Sequence, residues 1–162
     1  MHIEINIQLQ SLSIISDGKV VKNYLVSTAV KGAGEVSGSQ MTPRGLHYIR
    51  AKIGSGCLKS AVFSGRRPTG QVLTPQLASE HPSTDWILTR ILWLCGLERG
   101  RNRGGDVDSM RRYIYIHGAP DTEPMGIPLS HGCIRMRNSD VMDLFDKVDV
   151  GVRVFINEFS VD

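Results

Sequence analysis

No stretch of this chain is apolar for long enough to cross a bilayer as a helix. The longest such run, Ile91-Leu92-Trp93-Leu94-Cys95-Gly96-Leu97, falls well short of the roughly 20 residues a spanning helix requires, which excludes membrane insertion of that kind. Charge of one sign is also scarce. Nineteen Lys and Arg against sixteen Asp and Glu leave a net +3, too little for a nucleic-acid reader but compatible with a small anionic substrate. Cysteine is sparse: three residues, an odd number, make no disulfide framework and fit free thiols in a reducing compartment. No basic start followed by an apolar segment opens the chain. Met1-His2-Ile3-Glu4-Ile5-Asn6-Ile7-Gln8-Leu9 alternates instead, which predicts a strand rather than an export signal and a cytoplasmic location. A sequence trimmed at Met1 would point to the periplasm instead. Internal repeats and low-complexity tracts are absent. The 162 residues fit one domain, 1–162, long enough to bury a core without disulfides or metal.

What is present is period-two patterning. Ile3, Ile5, Ile7 and Leu9 share one strand face, while Leu12 and Ile14 fall on the other parity, predicting a bulge near Gln10-Ser11. Ser16-Asp17-Gly18-Lys19 reads as a hairpin turn, followed by a strand over 20–29. Thr42-Pro43-Arg44-Gly45 reads as a turn with proline at its second position, before a strand over 46–53. Glycines and prolines over 54–82 predict long loops with a strand or two, and 85–97 reads as a buried strand. Arg112 to Ile116 is a strand that delivers His117 at its end. Asn138 is the expected N-cap of a helix over 139–148 with Val141, Leu144, Phe145 and Val148 on one face, and a last strand spans 152–156. The expected fold is mainly β with one or two helices, sandwich- or barrel-like.

The chemistry concentrates in Ser130-His131-Gly132-Cys133-Ile134-Arg135, with His117-Gly118 sixteen positions upstream of the cysteine. Thiolate is the reactive form of cysteine, and a nearby imidazole can take the proton and hold an ion pair. His117 is the candidate base, with the Gly118 carbonyl a candidate to orient its ring. Gly132 permits a sharp turn that aims backbone N–H groups of His131, Gly132 and Cys133 at a developing oxyanion. Arg135 is either a grip for a substrate carboxylate or a structural brace for the loop. His131 and Ser130 are further candidates for substrate contact. Cys57 and Cys95 lack histidine or arginine neighbours and read as bystanders.

His117-Gly118, the gap, and Ser130-His131-Gly132-Cys133-Ile134-Arg135 resemble the signature of the YkuD-type L,D-transpeptidase family. Met41-Thr42-Pro43-Arg44-Gly45 is similar to a second, weaker mark of that family. The resemblance implies a mostly-β catalytic domain acting on peptidoglycan stem tetrapeptides, free or linked to sugar or nucleotide. It implies a cysteine that attacks the bond between the diamino acid and the terminal D-alanine, passing the acyl group to water or to an amine. It implies no cofactor, and acylation by carbapenem-type inhibitors. With a cytoplasmic location, the expected activity is an L,D-carboxypeptidase in muropeptide recycling, and wall cross-linking or D-amino-acid exchange by a transpeptidase is the alternative.

Two other classes compete. His117, His131 and Cys133 with Asp121 or Glu123 could hold zinc, although a His-x-Cys pair is an awkward chelate and the spacing matches no common zinc pattern. A non-catalytic binder of peptidoglycan fragments would keep the pocket without needing the thiol. The basic stretch of Arg99, Arg101, Arg103, Arg111 and Arg112 reads either as a solvated face or as a mobile lid over an anionic substrate.

Overall fold

The computed structural model describes residues 1–160. Ten strands occur in chain order: β1 (His2–Asn6), β2 (Ser11–Ser16), β3 (Lys19–Leu25), β4 (Gly45–Ile53), β5 (Ala61–Ser64), β6 (Arg67–Val72), β7 (Ile87–Gly96), β8 (Tyr115–Ala119), β9 (Ile134–Arg137) and β10 (Arg153–Asn157). Helix α1 (Pro75–Glu80) precedes β7, and helix α2 (Asn138–Lys147) lies between β9 and β10. The fold is therefore mainly β, as the alternation predicts.

One sheet runs β3-β2-β1-β10-β4-β7. The far edge of β7 carries β8, and β8 carries β9 in parallel. The chain beyond β3 then closes the curl: Ser27 and Arg135 exchange both N–H···O bonds at 2.9 Å, giving the sheet a barrel-like section. The free edge of β9 is thereby covered rather than left as a template for pairing. The β5–β6 hairpin pairs with the start of β7 outside this curl.

Ile3, Ile5, Leu12, Ile14, Ile49, Leu92, Leu94, Ile116, Ile134, Met136, Val154 and Ile156 fill the interior, all at 0 % exposure. Each such side chain contributes about 1.5–3 kcal/mol by leaving water. Helix α2 packs Val141, Leu144 and Phe145 onto β7, β8 and β9, and Val148 just past its end completes the apolar face. A second, smaller cluster on the outer face of β7 and β8 joins Ala61, Phe63, Ile91 and Tyr115, and Cys133 packs against it.

Several boundaries differ from the sequence expectation. The opening segment is not one bulged strand. It is a hairpin of β1 and β2, with Gln10 at φ 50° in the turn. The Gln10 side chain is buried, donating to Ile7 O and Thr28 Oγ1, and this stabilises a turn that no glycine announces. Arg112 and Tyr113 form a turn, not a strand; Tyr113 has φ 56° and donates its N–H to Met110 O. His117 therefore sits in the middle of β8. Asn138 is the first residue of α2 rather than its cap, because its buried amide is engaged across the fold by Thr89, Ala119 and Asp121.

Candidate active site

His117 is held by the register of three strands. It pairs with Ile91 of β7 on one side and Arg135 of β9 on the other. Period two sends Ile116 and Ile134 into the core and leaves Tyr115, His117, Cys133 and Arg135 for the opposite face. The pairing with β7 shifts register between Leu88 and Ile91, where Thr89 adopts φ 73°, a bulge beside the site. The imidazole is 1 % exposed, and Nδ1 lies 2.7 Å from Gly118 O. A carbonyl can only accept, so Nδ1 carries the hydrogen and Nε2 is left with a lone pair. Burial lowers the His117 pKa, which keeps the ring neutral and basic at Nε2. Gly118 has no room for a side chain: a Cβ there would collide with Asn138 Oδ1 and sit 2.6 Å from Leu88 O.

Cys133 directly precedes β9 rather than the helix. Its sulfur accepts from the Tyr115 N–H at 3.3 Å and its thiol donates to Tyr113 O at 3.3 Å. Burial pushes the thiol pKa up to about 11, outweighing the Tyr115 N–H and the charges of Arg135 and Arg112, which pull the other way. The resting pair is thus neutral thiol and neutral imidazole. Burial thus disfavours a resting ion pair: the apolar cluster under the sulfur penalises charge more than its donors reward it. Asp85 and Arg135 act electrostatically on both Cys133 and His117, so the two groups share one field.

The motif loop turns at Gly132, φ 129°, with Met41 O 3.3 Å from where a Cβ would stand. Thr42, 0 % exposed, donates its hydroxyl to Gly132 O at 3.0 Å and accepts the Ala29 N–H at 3.0 Å. In a planar trans peptide the carbonyl and the next N–H point in opposite directions. Fixing Gly132 O on Thr42 therefore aims the Cys133 N–H away from it. Gly132's own N–H is spent on Ser130 Oγ at 3.3 Å. Among the described residues the His131 and Cys133 N–H groups have no protein acceptor, so they are the available oxyanion donors and Gly132 is not.

Two further sequence expectations change. Ser130 is 1 % exposed and donates to Cys133 O at 2.6 Å; it braces the loop and does not face substrate. The Arg135 guanidinium is also buried, binding Asp85 at 2.7 Å, Glu123 at 3.2 Å and Leu129 O at 3.2 Å. Its fork is filled by protein groups, so it ties three loops together instead of offering itself to a carboxylate. His131 is exposed and contacts Asp85 Oδ2 at 3.2 Å. Asp121 is engaged elsewhere: its carboxylate accepts from the Asn138 amide at 3.0 Å. Among the described residues, no three His, Cys, Asp or Glu side chains converge on a possible metal position.

A pocket of about 230 Å³ opens beside the thiol, lined by Ser37, Gln40, Arg112, Tyr113, His131 and Cys133 among others. Arg112 spans from the sulfur's surroundings to Met41 O at 2.7 Å and Glu35 O at 3.2 Å, fixing the 34–41 loop that forms the pocket's rim. Thr42 and Asp85 escaped the sequence reading as site residues, and Arg112 was read only as part of a solvated face or a lid. Thr42 left a trace in the Thr-Pro turn; Asp85 and Arg112 reach the site through backbone reversals that no local pattern records.

The chain matches the L,D-transpeptidase catalytic-domain family, YkuD, over residues 1–156. It belongs to that family. YqjB of Bacillus subtilis, which carries an L,D-transpeptidase name, is 26% identical over 157 residues, covering 97% of this chain and 71% of that one. YbiS of Escherichia coli K12, named likewise, is 50% identical over 48 residues, 29% of this chain but 16% of its own length. Among solved structures, L,D-transpeptidase 3 of Mycobacterium tuberculosis with a faropenem-derived adduct superposes with a TM-score of 0.58 at 17% identity, covering 96% of this chain and 59% of that one. The L,D-transpeptidase of Xylanimonas cellulosilytica gives 0.53 at 21% identity, again covering 96% and 59%. These structures share the fold, and the family's chain here spans well under two thirds of their length.

Proposed function

We propose that this domain is a cysteine acyl-enzyme peptidase that cleaves peptidoglycan tetrapeptides at the bond between the diamino acid and the terminal D-alanine. The observation that carries the reading is that the pairing of β8 with β9 puts His117 and Cys133 on one face of the sheet, in the field of the same Asp85 and Arg135. The thiol sits at a pocket mouth, the neighbouring imidazole has its Nε2 lone pair fixed free by Gly118 O, and the Cys133 N–H is aimed by Thr42. In the reaction, Cys133 Sγ attacks the carbonyl carbon as His117 Nε2 takes the thiol proton. The oxyanion is held by the N–H groups of Cys133 and His131. His117 then returns the proton to the D-alanine nitrogen, that bond breaks, and a thioester remains.

Water resolves the thioester in this reading, with His117 as base, giving tripeptide and a carboxypeptidase activity. Three free cysteines fit a reducing compartment such as the cytoplasm, where soluble tetrapeptides are the accessible substrates. An amine acceptor is the second reading, favoured by relatives that carry transpeptidase names. The imipenem complex of one protein of the same fold and the faropenem-derived adduct of another support acylation of Cys133 by carbapenem and penem β-lactams. The deciding experiment incubates the protein with a disaccharide-linked tetrapeptide, with and without a competing D-amino acid, and reads products by mass spectrometry. Tripeptide should dominate, and Cys133→Ala should form none. Exchanged or dimeric peptides as the main products would favour the amine acceptor, and turnover by Cys133→Ala would end the mechanism.

A further inference from the structure

The arginine-rich stretch is anchored along its length and carries Arg99, Arg101, Arg103 and Arg111 exposed on its surface. Asn102, fully buried, donates its amide to Arg44 O at 3.0 Å and Leu46 O at 3.2 Å, and accepts the Glu98 N–H at 2.9 Å. The Ser109 hydroxyl meets buried His47 Nε2 at 2.8 Å, and the Trp93 indole N–H donates to Met110 O at 3.1 Å. These anchors clamp residues 98–110 onto β4 and β7. The clamp presents Arg99 and Arg103 side by side, joined by a backbone bridge between them.

Together with Arg50 from β4 and Arg111 they surround one pocket of about 250 Å³, whose wall also includes Tyr48 and Asp108. Asp108 is the one carboxylate in this wall, and although burial raises its pKa, the Arg111 charge helps hold it below the usual carboxylate range. It is buried, and its oxygens accept the N–H groups of Gly104 at 2.7 Å and Arg111 at 2.9 Å. Among the described residues none of the four guanidiniums makes a salt bridge. Four guanidiniums against one carboxylate leave +3 in this pocket, the net charge of the whole chain. By contrast Arg44, Arg101 and Arg135 each have a carboxylate partner.

We propose that this pocket binds a diphosphate group. Guanidinium forks match phosphate oxygens two at a time, and like charges gathered around one pocket gain most from a ligand carrying several negative charges in a small volume. A single carboxylate supplies too little charge for four forks. Arg111 lines both this pocket and the one beside Cys133, so the bound diphosphate lies next to the thiol's pocket. Nucleotides and polyprenyl lipids both carry such a group.

The test is titration calorimetry at low ionic strength with inorganic pyrophosphate as the probe, an assay that is independent of peptide turnover. Wild-type protein should bind one equivalent, more than tenfold tighter than inorganic phosphate, weakening as salt rises. The R99Q/R103Q double variant should lose at least tenfold in affinity. R101Q, whose arginine pairs with Glu98 outside the pocket, should bind as the wild type does. Folding of each variant is checked by thermal melting, and a single R50Q variant, exposed at the bulge of β4, serves if the loop double variant is unfolded. Uridine diphosphate and vesicles containing farnesyl diphosphate then separate the nucleotide from the lipid source, binding of either supporting the site. No pyrophosphate binding, equal affinity for phosphate, or equal losses in R101Q and R99Q/R103Q would overturn the proposal.

Discussion

Acid should unfold this domain through a histidine far from the thiol. His47 is fully buried between Gly45 O at 3.0 Å and Ser109 Oγ at 2.8 Å. Burial lowers its pKa from 6.5 to about 4. The unfolded chain takes up a proton on this ring as pH falls through about 6.5, whereas the folded protein resists until about 4. Between those values the unfolded state holds more protons, so stability falls as pH falls, at about 1.4 kcal/mol per pH unit and by roughly 3 kcal/mol across the window. Stability from this group is therefore complete above about pH 6.5 and lost near pH 4. His117 is lowered in the same direction and adds a loss of the same sign. A His47→Gln variant isolates the first contribution, because glutamine keeps a donor and an acceptor but does not titrate. Urea unfolding is followed at half-unit steps from pH 7.5 to 4.5 for both proteins. The variant should start less stable at pH 7.5, and its curve should be flatter by about 1.4 kcal/mol per unit below pH 6. Parallel curves would show that His47 is not the neutral buried ring described here.

Alkylation of Cys133 by iodoacetamide, read peptide by peptide in mass spectra, should climb through pH 9 with no plateau, following a thiol near 11; a plateau by pH 8 would restore the ion pair. Thr42→Val should lower kcat at least tenfold with a smaller change in KM, since it releases the Gly132 carbonyl and strands the buried Ala29 N–H, while Thr42→Ser should recover most of the loss. Asn138→Ala should destabilise by about 2–3 kcal/mol in urea unfolding, because it removes the partners of Ala119 O and the Thr89 hydroxyl from a site with no access to water. Gly118→Ala should be at least as damaging, since the colliding Leu88 O is backbone and has nowhere to retreat.

The sequence revealed what repeats or what is chemically unusual. Alternating Ile3 and Ile5, the apolar strand around Leu92 and the stripe of Val141, Leu144 and Phe145 were all visible, because each is a local period tied to one buried face. The thiol, the two histidines and the Gly132 turn were visible because that mixture has few structural uses. What stayed hidden depends on contacts distant in sequence. Gln10 makes a reversal by bonding Thr28, and Asn138 leaves its expected capping role to bridge Thr89 and Ala119. Arg135 looked available because its partners Asp85 and Glu123 arrive from separate loops. The arginine stretch looked flexible because its anchor, Asn102, is one polar residue among glycines and charges.

The resting chemistry has a consequence for when the nucleophile forms. A cysteine at about 11 beside a neutral histidine is poorly reactive toward oxidants and stray electrophiles, since the thiolate is the species both attack. Its proton is parked on Tyr113 O, in the turn whose strained residue also borders the substrate pocket. In the proposed reaction, Sγ gives up that carbonyl and hands the proton to His117 Nε2. Substrate filling the pocket can assist by displacing the thiol from Tyr113 and by placing an electrophilic carbonyl against the sulfur, so that proton transfer and bond formation proceed together. The raised pKa then becomes useful: a thiolate formed only in the complex is a stronger nucleophile than one stabilised at rest. Activation on binding in this way assigns the Tyr113 turn, together with Thr42 and Gly118, to the machinery that readies Cys133.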